Sequence, residues 1–191
     1  MKNSTCLRLA AGAFLGGALL AGCSAASDVP PTEAAKGAAT VSQAPEFQGL
    51  GTWFNSPPLT LEGLRGKVVL VDFWTFDCIN CLNHLPAVKE WHRKYKDQGL
   101  VVVGIHTPEF PFEKPADNVR KAIERLGIEH AVAQDNGYQT WKAFHNQYWP
   151  ATYLIDKSGR IVYRHFGEGR YQATERKLQE LLAAPAPARA G

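Results

Sequence analysis

The residues in this chain best suited to chemistry are Cys78-Ile79-Asn80-Cys81, two thiols separated by two positions. Such a pair can close into a disulfide, supply half of a metal site, or sit buried as a structural detail. A zinc site needs about four ligands, usually with a second close pair. There is no second pair here, and Cys78, Cys81 and His84 would need a distant fourth ligand, so no metal is expected. Haem attachment through C-x-x-C-H fails because Leu82 follows Cys81. The redox reading leads. A thiolate attacks a disulfide, and a second thiol one helical turn further on can reach back to resolve the mixed disulfide. That chemistry calls for no cofactor.

The surrounding pattern says what positions the thiols. Residues 67–74, KVVLVDFW, form a continuous apolar run with one acid, the mark of a central buried strand. The spacing predicts a helix from Asp77 to about Asp97, with Leu85, Val88, Trp91 and Tyr95 on one face and Gly99 as its stop. Cys78 then lies at the helix N-terminus, where free N–H groups and the helix dipole favour a thiolate. His84 reads as a helix-face residue and Trp74 as packing beneath the loop that carries the cysteines. A second buried strand covers Leu100 to Ile105. Helices are predicted over 117–126, 138–145 and 174–182, a short strand over 131–134, and a hairpin over 151–156 and 160–165. This alternation implies an α/β fold with a central mixed β-sheet flanked by helices.

The 191 residues suit one domain with a sizeable core. The formal charge of +3, with no basic run interleaved with aromatics, gives no nucleic-acid signal. Lys2, Arg8 and the apolar stretch 9–20 form a secretory signal, too short to span a bilayer comfortably. Its end, Leu20-Ala21-Gly22-Cys23, resembles the lipobox of bacterial lipoproteins, which implies a lipidated Cys23 as the mature N-terminus. Without residues 1–22 the side-chain charge falls to +1, so anchoring must come from the lipid. Residues 23–48 are rich in Ala, Ser, Pro, Thr and Gly and read as a flexible tether. The folded domain is expected over 49–184 and a disordered tail over 185–191. Cys6 leaves with the signal, so Cys78 and Cys81 are the remaining free thiols, in a compartment where disulfides persist.

The stretch VDFWTFDCINC (71–81) resembles the active-site segment of the thioredoxin superfamily, and more closely the TlpA-like group and the DipZ-type thioredoxin-like domain. Asp72 stands six residues before Cys78, Pro86 eight after it, and Trp149-Pro150-Ala151 precedes TYLID; the run 101–114, VVVGIHTPEFPFEK, also fits the DipZ-like pattern. The resemblance implies a thioredoxin fold and a dithiol in which Cys78 attacks and Cys81 resolves. It further implies a cis bond before Pro150 and a substrate-facing set of Trp149, Pro150, Ile79 and Asn80. Asp72 lies inside an apolar run, so burial near the cysteines is expected. Burial raises a carboxyl pKa and lets it exchange a proton with Cys81. Asp77 stands where the common thioredoxin pattern has tryptophan; a carboxylate there is expected to raise the Cys78 pKa and favour a reductant. Glu109 is a candidate accessory acid or an exposed loop residue.

Two other readings compete. Thr75-Phe76-Asp77-Cys78 is a T-x-x-C sequence similar to that of peroxiredoxins, although Val71-Asp72-Phe73 stand where an earlier proline is expected. A non-catalytic binding lipoprotein is the other. The leading expectation is a lipid-anchored protein disulfide reductase on the periplasmic side of the cell envelope, at the inner or outer membrane. By resemblance its electron donor would be a membrane thiol transporter of the CcdA or DsbD kind, with cytochrome c precursors among plausible substrates.

Overall fold

The computed structural model describes residues 42–186. The signal segment 1–22, Cys23, most of the tether and the end of the tail lie outside the described residues. In chain order the elements are strand β1 (Ser42–Gln43), β2 (Trp53–Phe54), β3 (Val68–Trp74), helix α1 (Ile79–Tyr95), β4 (Leu100–His106), α2 (Ala116–Leu126), β5 (Ala131–Gln134), α3 (Gln139–Ala143), β6 (Ala151–Ile155), β7 (Arg160–Phe166) and α4 (Tyr171–Ala183). Short 3-10 turns cover Lys96–Gln98 and Pro111–Glu113.

The strands form one mixed sheet in the order β1-β7-β6-β3-β4-β5-β2. β3, β4 and β5 run parallel; the remaining pairs are antiparallel. β3 is central and buried along its whole length. Successive strand residues point to opposite faces, and β3 divides accordingly. Val69, Val71 and Phe73 join Ile105, Trp141, Phe144 and Tyr153 in one core. On the other face Val68 and Leu70 meet Val88, Trp91 and Leu178 of α1 and α4, while Trp74 meets Cys81, Leu85 and the α2 residues Val119 and Ile123. Every strand and helix predicted from residue 67 onward is present.

Three boundaries differ from expectation. The folded part starts by residue 42, not 49: Ser42 and Gln43 pair with Ile161 and Arg160, and Ala44 N–H donates to Gly159 O at 2.9 Å. The Glu46 carboxylate accepts from Leu61 N–H at 2.7 Å and Glu62 N–H at 3.0 Å. The physical reason is the edge of β7, whose unpaired backbone groups β1 covers. The helix predicted over 138–145 shortens to α3. Tyr138 and His145 take left-handed φ of 58° and 52°, and buried Asp135 caps the helix by accepting from Gln139 and Trp141 N–H at 2.8 and 2.7 Å. α4 begins three residues earlier than expected, at Tyr171.

Candidate active site

β3 delivers the site. It ends at Trp74, buried and edge-on to His106 with ring centroids 5.3 Å apart, and the chain then turns through Thr75, Phe76 and Asp77. Cys78 is the N-cap of α1, with extended φ and ψ of −89° and 115°. Its sulfur accepts the Cys81 N–H at 3.3 Å, a capping bond of the kind usually made by an oxygen. The first turn of α1 carries no acid to oppose a negative charge.

The two thiols are unequal. Cys78 is half-buried and its pKa is lowered to about 7. The largest cause is a hydrogen bond from the Cys81 thiol; the N–H groups of Cys81 and Asn80 add to it. Burial and the Glu109 carboxylate push the other way. Cys81 is buried, and its thiol is pushed far up by that same bond to Cys78 and by desolvation. Near neutral pH Cys78 therefore supplies the thiolate and Cys81 keeps its proton.

Asp72 lies on β3 opposite Gly104 of β4 and Thr152 of β6. It is buried, and desolvation holds its carboxyl well above the usual carboxylate range; the Thr152 hydroxyl pulls it back in part, and the Cys78 charge pushes it up. Its charge also bears on Cys81. The expected burial of Asp72 beside the dithiol is thus what the structure has. The Trp149–Pro150 bond is cis. The Trp149 indole donates to Thr107 O at 3.0 Å, and its ring packs in the cluster that holds Phe76 and Cys78. Ile79, 67% exposed, and Asn80, also exposed, face outward beside Cys78. Among the described residues no group of three His, Cys, Asp or Glu side chains is arranged to hold a metal ion.

The matched family is the AhpC/TSA family, over residues 41–164. The chain belongs to that family. Within it, the protein is 49% identical over 142 residues to Protein DipZ of Mycobacterium bovis, an alignment covering 73% of this chain and 20% of DipZ. The chain thus spans about a fifth of the length of that relative. It is 31% identical over 140 residues to thiol-disulfide oxidoreductase YkuV of Bacillus subtilis, covering 73% of this chain and 93% of YkuV. The crystal structure of a thioredoxin-like superfamily protein superposes with a TM-score of 0.71 at 28% identity, covering 76% of this chain and 99% of that one. The homologues of this AhpC/TSA member therefore include thiol–disulfide oxidoreductases, and its fold is thioredoxin-like.

One expectation about this site needs correction. Asp77 is exposed, and the carboxylate that opposes the Cys78 thiolate is that of Glu109. Glu109 is itself exposed and acts on Cys78 only as a charge at a distance. The buried acid of its segment is Glu113, fully enclosed. One Glu113 oxygen accepts from the Thr75 hydroxyl, in a short bond, and from Asp77 N–H at 3.2 Å; the other accepts from Glu109 and Phe110 N–H at 2.6 and 2.9 Å. Glu113 thereby ties the turn before Cys78 to the loop after β4. The sequence signal was available only as one acid in an aromatic- and proline-rich run. His84, read as a helix-face residue, lies on the buried face, its Nε2 3.0 Å from Thr152 Oγ1 and 3.6 Å from Asp72 Oδ1. Its position four before Val88 and seven before Trp91 puts it on the apolar stripe.

Proposed function

We propose that the protein is an extracytoplasmic thiol–disulfide oxidoreductase that reduces protein disulfides and is held at a membrane by lipid on Cys23. The observation that carries the chemistry is the asymmetry of the dithiol: Cys78 capping α1 with a pKa near 7, hydrogen-bonded to a buried, protonated Cys81. The Cys78 thiolate attacks one sulfur of a substrate disulfide, forming a mixed disulfide and releasing the first substrate thiolate. The mixed disulfide removes the Cys78 charge that pushes the Asp72 carboxyl up; Asp72, once ionised, takes the Cys81 proton while Cys81 attacks the Cys78 sulfur. The second substrate thiolate leaves, and two electrons have passed from the dithiol to the substrate. Ile79, Asn80, Trp149 and Pro150 line the approach, and a substrate strand would pair with the backbone beside Pro150.

The reductive direction is supported by the modest depression of the Cys78 pKa. A strong oxidant stabilises its thiolate far more, with pKa values of about 3.5. In an oxidising space the Cys78–Cys81 disulfide must be re-reduced from outside, which calls for a membrane thiol transporter of the CcdA or DsbD kind. Cytochrome c precursors, whose cysteines must stay reduced for haem attachment, are a fitting substrate class. The peroxidase reading is weakened by Thr75, whose hydroxyl is engaged by Glu113 and His106. Equilibration in graded thiol–disulfide buffers tests the direction. A reduction potential near or below about −270 mV is expected; one near about −120 mV would make the protein an oxidant. Consumption of hydrogen peroxide with a thiol donor would favour the peroxidase instead.

A further inference from the structure

The turn that carries Cys78 also begins a ladder of aromatic rings that runs out to solvent. Buried His106 stacks on Phe76 with centroids 5.5 Å apart, Phe76 meets Phe112 at 6.1 Å, and Phe112 stacks on Phe110 at 5.8 Å with the planes 4° apart. Phe76 packs in the cluster that holds Cys78. Phe112 and Phe110 are 49% and 45% exposed. Single exposed apolar residues are ordinary, whereas contiguous ones rimmed by polar groups mark an interaction site. The two rings do not ride on a loose loop. Glu113 accepts from Phe110 N–H at 2.9 Å, and Asn118 Nδ2 of α2 donates to Phe112 O at 2.8 Å. Between Phe76, Phe112 and α2 lies an open cleft of about 270 Å³, lined also by Asn118, Ala122, Lys121 and Arg125. Sites for small molecules usually span roughly 300–1,000 Å³, so this cleft suits one or two side chains of a polypeptide. Lys121 and Arg125 are four residues apart on α2 and share a face. The ion pair within α2 joins Arg120 to Asp117 and leaves both of them without an acidic partner among the described residues.

We propose that this cleft is a substrate subsite. It seats an apolar side chain of the disulfide-bearing polypeptide between Phe76 and Phe112, and Lys121 and Arg125 pair with an acidic residue next to that side chain. The proposal rests on the dithiol reading and names the class of polypeptide the dithiol receives. Phe76 stands two residues before Cys78, so a polypeptide engaged by Cys78 has the cleft within reach a few residues along. The rings are already held outward, and seating a side chain there requires little ordering of the protein. The charges define the occupant further. Asp77 and Glu109 are exposed, on the turn before Cys78 and on the loop that leads to Phe110. They repel an acid placed beside the reacting sulfur, so the favoured acid lies further out, at the two cations. They also disfavour a membrane as the occupant. An extended sheet of anionic headgroups would meet these two carboxylates together with the cations, whereas a single acidic side chain meets the cations alone.

Paired peptide disulfides test this. One peptide carries Leu-Glu a few residues from its cysteine, and the other carries Leu-Lys at the same positions. The reduced protein is expected to act on the first with a kcat/KM about tenfold higher. The difference should lie in KM, because the contact is made before the sulfurs react. Lys121→Glu combined with Arg125→Glu should invert the preference, a response that lost packing cannot produce, and Phe112→Ser should raise KM for both peptides. All three side chains are exposed, so the fold does not depend on them. Equal kinetics for the two peptides would overturn the proposal, as would a preference that the charge reversal leaves in place. The same peptides with Ser for Cys cannot react. Their binding, followed through the Phe76 and Phe112 ring signals by NMR, reads the subsite even if the dithiol reduces nothing. The Leu-Glu form should bind about tenfold more tightly, and equal binding would overturn the subsite while leaving the dithiol reading intact. Sedimentation of the Cys23→Ser chain with phosphatidylglycerol vesicles, lost in Phe112→Ser, would assign the rings to a membrane surface and overturn it as well.

Discussion

At the residue scale, chemistry here depends on where each group sits rather than on its type. Cys78 and Cys81 are the same residue, yet one sulfur caps a helix and the other is enclosed. The rate of Cys78 alkylation against pH should rise to its half-maximum at about 7. In Cys81→Ala that midpoint should move up by roughly a unit or more, towards the ordinary thiol value, because the bond from Cys81 is the largest cause of the depression. An unchanged midpoint would mean that the helix N-terminus alone sets it. Asp72 has the opposite environment. Its folded-state pKa is raised by burial, so the native protein holds a proton that the unfolded chain has lost above its own pKa of about 3.9. Native stability contributed by this group is therefore full below that unfolded value and declines as pH rises towards the raised one. Asp72→Asn, neutral at every pH, should be more stable than the parent at neutral pH by on the order of 2 kcal/mol. The gap should close below about pH 4. Urea denaturation of the reduced proteins at both pH values measures it, and a pH-independent difference would count against a buried, proton-holding Asp72. Stopped-flow trapping of the mixed disulfide provides the kinetic counterpart: Asp72→Asn should slow resolution by roughly a hundredfold, the lower range for loss of a general base.

At the element scale, the site depends on a strand, a helix start and a loop held in common. β3 is hydrogen-bonded on both sides, to β4 and β6, which makes its C-terminal end a rigid platform for the turn to Cys78. The turn is then fastened by Glu113, one carboxylate serving four donors. Glu113→Gln keeps the volume but leaves a single acceptor oxygen and adds an amide donor. Unmet buried donors cost about 1–3 kcal/mol each. Amide hydrogen exchange at Asp77, Glu109 and Phe110 should accelerate by at least about tenfold, since 1.4 kcal/mol already corresponds to that factor. Unaltered protection would show that the loop is held by other contacts. The buried stripe of α1 is as demanding: Trp91 is almost fully enclosed, and truncating such a side chain to Ala costs about 3–5 kcal/mol.

At the scale of the whole molecule, the dithiol's direction and address belong to the full chain. A lipidated Cys23 should place the full-length protein in the membrane fraction of a bacterial host, and Cys23→Ser should release it; retention of the variant in membranes would remove the anchor from the functional reading. How far the sequence reached follows from the range of its signals. Runs such as 67–74 and the 85, 88, 91, 95 stripe report burial directly, because a strand or helix face must be apolar where it meets the core. They were enough for the α/β order, and with the CxxC spacing and Asp72 they pointed to the candidate site. Two-residue strands such as β1 carry no periodicity, so the start of the fold at residue 42 could not be read. Charge was the least legible property. Whether Asp77, Glu109 or Glu113 lies beside Cys78 depends on how the loop after β4 folds back over the turn, and the three acids look alike in one dimension. His84 likewise reads as an ordinary helix residue until β6 brings Thr152 and β3 brings Asp72 to it. The sequence by itself determined which groups can react and on which elements they ride. Only the tertiary structure decided which of them are dry, which share a proton and which face water, because those depend on distances between residues far apart in the chain.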